Sequence, residues 1–189
     1  MAATGSFIVC GIAGSLRGKS YNRALLRAAQ ELAPAGTEIR IFDRIGDLPL
    51  YNGDVEAQGE PEPVAALRRA IGEASALLIA TPEYNHGVPG VLKNAIDWAS
   101  RPPASSVLKG KPTAVFGASP GITGTARAQA QLRQAFVFTD SPVLPQPEIL
   151  VYRANEKFDD SGRLTDQRTR EFVVKLLVAL ADWSRRLTT

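Results

Sequence analysis

Short apolar runs alternate along this chain with longer stretches whose apolar residues recur every three or four positions. Phe7-Ile8-Val9-Cys10-Gly11-Ile12, Ala76-Leu77-Leu78-Ile79-Ala80-Thr81 and Thr113-Ala114-Val115-Phe116-Gly117-Ala118 are close to uniformly apolar, which predicts buried strands. Glu38-Ile39-Arg40-Ile41-Phe42 alternates with period two and predicts a strand nearer an edge. The stretch from Pro142 to Val151 holds a weak fifth strand, broken by prolines. Between these runs lie five helical patterns: Tyr21 to Leu32, Pro63 to Glu73, Val88 to Ser100, Ala126 to about Phe136, and Thr165 to Leu187. Pro34 and Gly36 stop the first of them. Pro89 fits the first turn of the third, where its missing N–H is no loss. The last is expected to be capped by Thr165, or by Ser161 in the preceding turn. The segment from Asp47 to Pro63, rich in Pro, Gly and acids, reads as a long surface loop.

Strands alternating with helices imply βαβ units, hence an α/β protein with a doubly wound parallel sheet and helices on both faces. No repeat, linker or shift of composition divides the chain, so residues 1–189 are expected to form one domain. At 44% apolar residues the chain can bury a core, but no apolar run approaches the ~20 residues of a membrane span. Nor does the N-terminus carry a basic stretch followed by an apolar leader. The single cysteine, Cys10, excludes a disulfide within the chain and fits a reducing compartment, with the cytoplasm expected. One His and one Cys are too few soft ligands for zinc, and no acidic cluster suggests calcium, so no metal is expected. The net charge of +3 is spread out and aromatic residues are few, which argues against a nucleic-acid surface. It agrees with small anionic ligands such as phosphates.

Three loops leave the carboxyl ends of central strands: Gly14–Asn22, Thr81–Gly87 and Ser119–Thr125. In an open parallel sheet that edge is where ligands bind. The first loop has the parts of a phosphate cradle. Ser15 and Ser20 bring hydroxyls, Asn22 an amide and Arg17 a guanidinium, while Gly14 and Gly18 permit close backbone approach at a helix N-terminus. It completes neither the dinucleotide fingerprint nor a P-loop, and a plain turn with Ser20 as helix cap reads almost as well. In the second loop, Pro82 and the backbone of Glu83 to Asn85 suit the edge of a flat heterocycle, with Tyr84 beside it and Asn85 at its rim, although for this loop alone a plain turn whose Tyr84 covers the core edge is the better reading. Glu83 can also fix the loop by accepting neighbouring N–H bonds. His86, the only histidine, has no partner that would make it part of a Ser–His–Asp or Cys–His arrangement; it lines a pocket mouth or is simply exposed. Cys10 reads as an inert core thiol, and Trp98, Phe116, Phe136, Phe138 and Trp183 as core or subunit contacts. Val88, Leu92, Ile96 and Ala99 form an apolar stripe for the core, with part of that helix available to a dimer interface.

Gly14-Ser15-Leu16-Arg17-x-x-Ser20-x-Asn22, Pro82-Glu83-Tyr84-Asn85 and Val88-Pro89-Gly90-Val91-Leu92-Lys93-Asn94-Ala95-Ile96-Asp97-Trp98 together resemble the NAD(P)H-dependent FMN reductases. That flavodoxin-like group includes quinone reductases, chromate reductases and some azoreductases, and Ala118-Ser119-Pro120-Gly121 adds support. The resemblance implies a five-stranded sheet in the order 2-1-3-4-5 with one FMN per subunit. By matched position, Ser15, Arg17, Ser20, Tyr21 and Asn22 hold its phosphate and ribityl chain. Pro82, Glu83, Tyr84 and Asn85 frame the isoalloxazine, and Ser119 with Gly121 close its far side. His86 faces the ring mouth, and Arg101 reaches a neighbouring subunit's pocket in a homodimer or homotetramer. His86-Gly87 departs from relatives, which often carry an aromatic or other residue and then Ser. The implied activity is ping-pong: hydride from NADPH or NADH to FMN N5, then electrons to quinones, chromate, azo compounds or flavins, with no catalytic side chain. A flavodoxin-type electron carrier is the rival reading. Such carriers are commonly strongly acidic, and the positive balance here opposes it. A colourless α/β binding module comes last.

Overall fold

Every predicted strand pairs in parallel with its neighbour, because each connection carries a helix or long crossover back to the same edge. The computed structural model describes residues 6–187; residues 1–5, where the absence of a leader is read, and 188–189 lie outside the described residues. The sheet runs β2-β1-β3-β4-β5, with β1 Phe7–Ala13, β2 Thr37–Phe42, β3 Ala76–Ala80, β4 Thr113–Ala118 and β5 Ile149–Val151. Val9 stands between Ile39 and Ala76, and Phe116 lies beside Ile149. The helices are α1 Tyr21–Glu31, α2 Gly53–Gln58, α3 Glu62–Glu73, α4 Gly90–Ala99, α5 Ala126–Phe138 and α6 Gln167–Leu187.

The period-two rule divides the core into two layers. Leu78, Val9 and Phe116 face Leu25 of α1 and Val173, Leu177 and Leu180 of α6. Leu77, Ile79 and Val115 face the other way, onto Leu67 and Ile71 of α3, Leu92 and Trp98 of α4, and Phe136 of α5. Both faces are covered, which explains why the central runs are continuously apolar. Cys10 lies in the second layer, where burial pushes its thiol up to about 12. Among the described residues no helix is long and apolar enough to cross a membrane.

Several boundaries differ from the sequence reading for physical reasons. The stretch expected as a loop from Asp47 to Pro63 contains α2, capped by Asn52, whose side chain accepts the Asp54 N–H at 2.8 Å. With six residues and none buried, α2 is too short to display an apolar period. The start of that stretch also packs inward, with Leu48 buried. Pro89 keeps an extended ψ of 138° and stands before α4, not within its first turn. Asp166 caps α6, accepting the Thr169 N–H at 2.9 Å and the Thr169 hydroxyl. Thr165 instead bonds the Lys157 carbonyl, and Ser161 belongs to a turn around Asp159. β5 keeps only the last three residues of its segment, because Pro142, Pro145 and Pro147 have no N–H for a ladder. Helix α5 runs on to Phe138, which is 93% exposed and no part of the core.

Gly117 sits where β4 meets the carboxyl edge. A Cβ there would land on the Thr81 carbonyl oxygen and Thr125 Oγ1. Gly117→Ala should therefore lower unfolding free energy by about 3 kcal/mol or more, checked by urea denaturation. For Cys10, the native thiol holds its proton at pH values where the unfolded thiol, near about 8.5, has lost it. The native state then binds more protons, so this group's contribution falls as pH rises from about 8.5 toward 12. A thiol reagent at pH 8 should leave Cys10 unmodified in native protein and react with it fully in denaturant.

Candidate functional site

Three loops meet at the carboxyl edge of the sheet, and hydrogen bonds from side chains tie them to one another. The first leaves β1 at Gly14, whose N–H donates to the Ala80 carbonyl at 2.9 Å. A Cβ on Gly14 would fall 2.8 Å from Leu92 Cδ2 and 3.2 Å from Pro82 Cδ, so this crossing of the first two loops requires glycine. Asn22, at the start of α1, forms a two-bond bracket with the end of β4. Its Nδ2 donates to the Ala118 carbonyl at 2.9 Å, and its Oδ1 accepts the Ala118 N–H at 2.8 Å. The Ser15 and Tyr84 hydroxyls stand 3.3 Å apart, joining the first loop to the second.

The second loop is held to the third through Glu83. Its side chain, only 7% exposed, accepts the N–H groups of Arg127 at 2.9 Å and Ala128 at 3.1 Å, and pairs with the Arg127 guanidinium at 3.4 Å. The carboxylate thus caps α5 from outside, where anionic charge suits the free N–H groups of a helix start. Thr125, at the N-cap position of α5, makes no such bond; its hydroxyl accepts from Gln129. Tyr84 to Gly87 form a tight turn, with the two backbone groups of these residues bonding each other at 3.2 and 2.9 Å. Its central residues are both left-handed, Asn85 at φ 50° and His86 at φ 62°, as a type I′ turn needs. Such angles are uncommon outside glycine, so the tip that carries the only histidine is a strained one. The turn's exit is fixed by Gln131, which accepts the Val88 N–H at 3.1 Å. The third loop folds against the chain beyond β5: Ser119 and Gly121 carbonyls accept from Ala154 at 3.0 Å and Arg153 at 3.2 Å.

The predicted site residues fall into two groups. Ser15, Ser20, Asn22 and Pro82 are buried at the crevice, Tyr21 and Glu83 are partly buried, and Arg17, Tyr84, Asn85 and His86 are exposed around it. Ser119 and Gly121 lie opposite, with the Ser119 hydroxyl accepting the Gly121 N–H at 3.1 Å. Asn22 has both amide atoms engaged by protein, and the Tyr21 ring packs on Phe158 with centroids 5.4 Å apart. Ser20 caps α1, accepting from Asn22 at 3.2 Å and Arg23 at 3.4 Å, which leaves its own proton free. Arg101 is not brought to these loops. It stands beyond the opposite end of α4, its guanidinium 5.2 Å from the Tyr51 ring centre. Arg127 and Gln131 were not singled out from the sequence. Their four-residue spacing on the helix after the third loop is the one signal that places both on a single face.

Residues 14–22 contain no carboxylate, and Arg17 and Lys19 have no ion-pair partner among the described residues. The N–H groups of Leu16, Gly18, Lys19 and Tyr21 are paired with no protein acceptor there either. Backbone donors, the free Ser20 proton and two cations at a helix start form a donor set that fits a phosphate. Among the described residues no three His, Cys, Asp or Glu side chains group to hold a metal.

Comparison with known proteins finds relatives over most of the chain. The family model described as NADPH-dependent FMN reductase matches residues 8–156. The NAD(P)H-dependent FMN reductase PA1204 of Pseudomonas aeruginosa is 52% identical over 179 residues, covering 95% of this chain and 96% of that protein. A quinone reductase of Pseudomonas putida is 47% identical over 177 residues, 94% of each chain. Among solved structures, the flavoenzyme NAD(P)H:(acceptor) oxidoreductase FerB of Paracoccus denitrificans superposes with a TM-score of 0.86 at 40% identity, covering 95% of this chain and 97% of its own.

Asn22→Ala would leave the buried N–H and C=O of Ala118 without partners. Unfolding free energy should fall by about 2–4 kcal/mol, measured by chemical denaturation.

Proposed function

The chain belongs to the NADPH-dependent FMN reductase family, and from that premise we propose that it oxidises NADPH or NADH and reduces quinones. The observation that carries this reading is the set of unpaired donors at residues 14–22, directly beside a loop whose backbone and Tyr84 suit the rim of a flat ring. FMN, when bound, supplies the chemistry: hydride acceptance at N5 and onward delivery of electrons. Ser15, Arg17, Ser20 and the N–H groups around Gly18 and Tyr21 hold the phosphate. Asn22 acts one step back, keeping the start of α1 against the end of β4. Pro82, Tyr84 and Asn85 border the ring through backbone and side chain, and Ser119 with Gly121 close the far side. Glu83 keeps the 81–87 loop in place through α5.

No side chain need transfer a proton in this reading, and none of the loops offers a base with an orienting partner. His86 and Tyr84 stand at the open rim, where they meet the second substrate. Quinone reduction is favoured by the relatives so named; chromate, azo compounds and free flavins are further acceptors for an open rim. Donor and acceptor share that rim in turn, which predicts ping-pong kinetics. We place the protein in the cytoplasm, where a lone buried thiol stays reduced. We further propose a homodimer or homotetramer in which the exposed Val137–Phe138 pair is covered and Arg101 borders a neighbouring site.

Protein reconstituted with FMN, freed of excess flavin and given NADPH without oxygen should lose its visible flavin absorbance and regain it on adding a quinone. Bound flavin that stays oxidised with both NADPH and NADH would replace this reading by an electron carrier. Arg17→Ala should weaken FMN retention about tenfold or more, read by ultrafiltration, while unchanged retention would remove Arg17 from the phosphate site.

A further inference from the structure

The turn from Tyr84 to Gly87 is held on both sides by one helix. Glu83, just before it, accepts the N–H groups of Arg127 and Ala128 at the start of α5. Val88, just after it, donates its N–H to Gln131 Oε1 at 3.1 Å, one turn further along the same helix. The two anchors differ in kind. The Glu83 carboxylate is nearly buried and caps α5, so its loss would disturb the fold as well as the turn. Gln131 is exposed, and its side chain makes no other hydrogen bond among the described residues. It serves the turn alone.

Gly87 makes room for that anchor. A Cβ there would stand 3.1 Å from Gln131 Oε1 and 3.7 Å from its Nε2. Gly87 is not in the left-handed region, so a side chain at this position meets the Gln131 amide and no backbone barrier. Between the anchors, Asn85 and His86 hold φ of 50° and 62°. Two successive left-handed residues, closed by the bonds between Tyr84 and Gly87, leave the turn little freedom of its own. Where its exit is fixed, His86 is fixed with it.

We infer that Gln131 is a positioning residue that sets the choice among quinone acceptors. By fixing the exit of the turn it places His86 at the rim, as a wall that a two-ring quinone meets and a one-ring quinone does not. Gln131 acts through the turn and takes no part in electron or proton transfer. The inference rests on the proposed reduction of quinones at this rim. It adds that selectivity is governed from α5, by a residue outside the three loops, while the phosphate cradle of the first loop is left untouched.

The ratio of kcat/KM for menadione to that for 1,4-benzoquinone tests it. Anything the two acceptors share, such as FMN content, fraction folded or reduction by NADPH, cancels in that ratio. Gln131→Met keeps the length and helix propensity but removes the accepting oxygen, and should lower the ratio about fivefold. Gln131→Glu keeps the oxygen and should keep the ratio. Gly87→Ala should lower it in the same direction, and the double variant should fall no further than Gln131→Met alone. Flavin-free, untagged protein gives a second readout, because His86 is the only histidine and its imidazole proton signals stand alone in an NMR spectrum. They should shift in Gln131→Met and stay in place in Gln131→Glu. A ratio unmoved by Gln131→Met, one moved as far by Gln131→Glu, or additive effects in the double variant would overturn the inference. Wild-type holoprotein that reduces neither quinone overturns the reading beneath it, whereas an imidazole signal indifferent to Gln131→Met overturns the positioning itself.

Discussion

The two hydrogen bonds between the Asn22 amide and the backbone of Ala118 set the distance between the start of α1 and the end of β4. That distance matters because β1 and β4 are not neighbours: β3 lies between them, and their loops have no ladder to align them. Asn22 crosses over the end of β3 and closes the gap. Gly14 and Gly117 work with it, each allowing backbone and side chains to meet where a Cβ would intrude. The crevice therefore exists as a consequence of packing at the strand ends, before any ligand enters.

Glu83 extends the same logic to the next pair of loops. Its carboxylate is nearly buried, yet it meets two N–H groups at the start of α5 and a guanidinium. The charge is thus matched within the protein, which keeps the crevice from acquiring an acid that would repel a phosphate. A polar residue spent on architecture and one available for a ligand look alike in a sequence. Asn22 and Ser15 both read as donors around an anion; only the structure separates the amide engaged by Ala118 from the hydroxyl lying beside Tyr84.

The sheet was legible because buried parallel strands write themselves as uniform apolar runs, and their turn-rich exits mark the ligand edge; its order was implied only by the family resemblance. The family-like stretch Val88 to Trp98 was legible too, but its meaning was mixed. Asn94 and Trp98 in that helix both donate to the Pro49 carbonyl, so part of the motif serves to pin the segment after β2. Elements without apolar faces escaped notice: α2 buries nothing, and the Asp166 cap differs from Thr165 by one position. Arg101 follows the motif helix closely, and α4, antiparallel to the strands, carries it away from its own chain's three loops, as a residue expected at a neighbouring subunit's pocket can be.

A division of labour follows from where the polar groups are committed. At the floor of the crevice they hold the backbone, and at the first loop they remain open to an anion. At the rim they sit on a strained turn whose backbone is closed on itself between Tyr84 and Gly87. The left-handed angles of Asn85 and His86 persist because Glu83 anchors one side of the turn and Gln131 the other. A substitution at position 86 can therefore change what the rim presents while leaving the cradle for the phosphate intact. On the proposed reading, cofactor retention and choice of acceptor are set by separate loops. Chemistry carried by a bound ring needs no more from the chain than this: a fixed anchor at one end and an adjustable rim at the other.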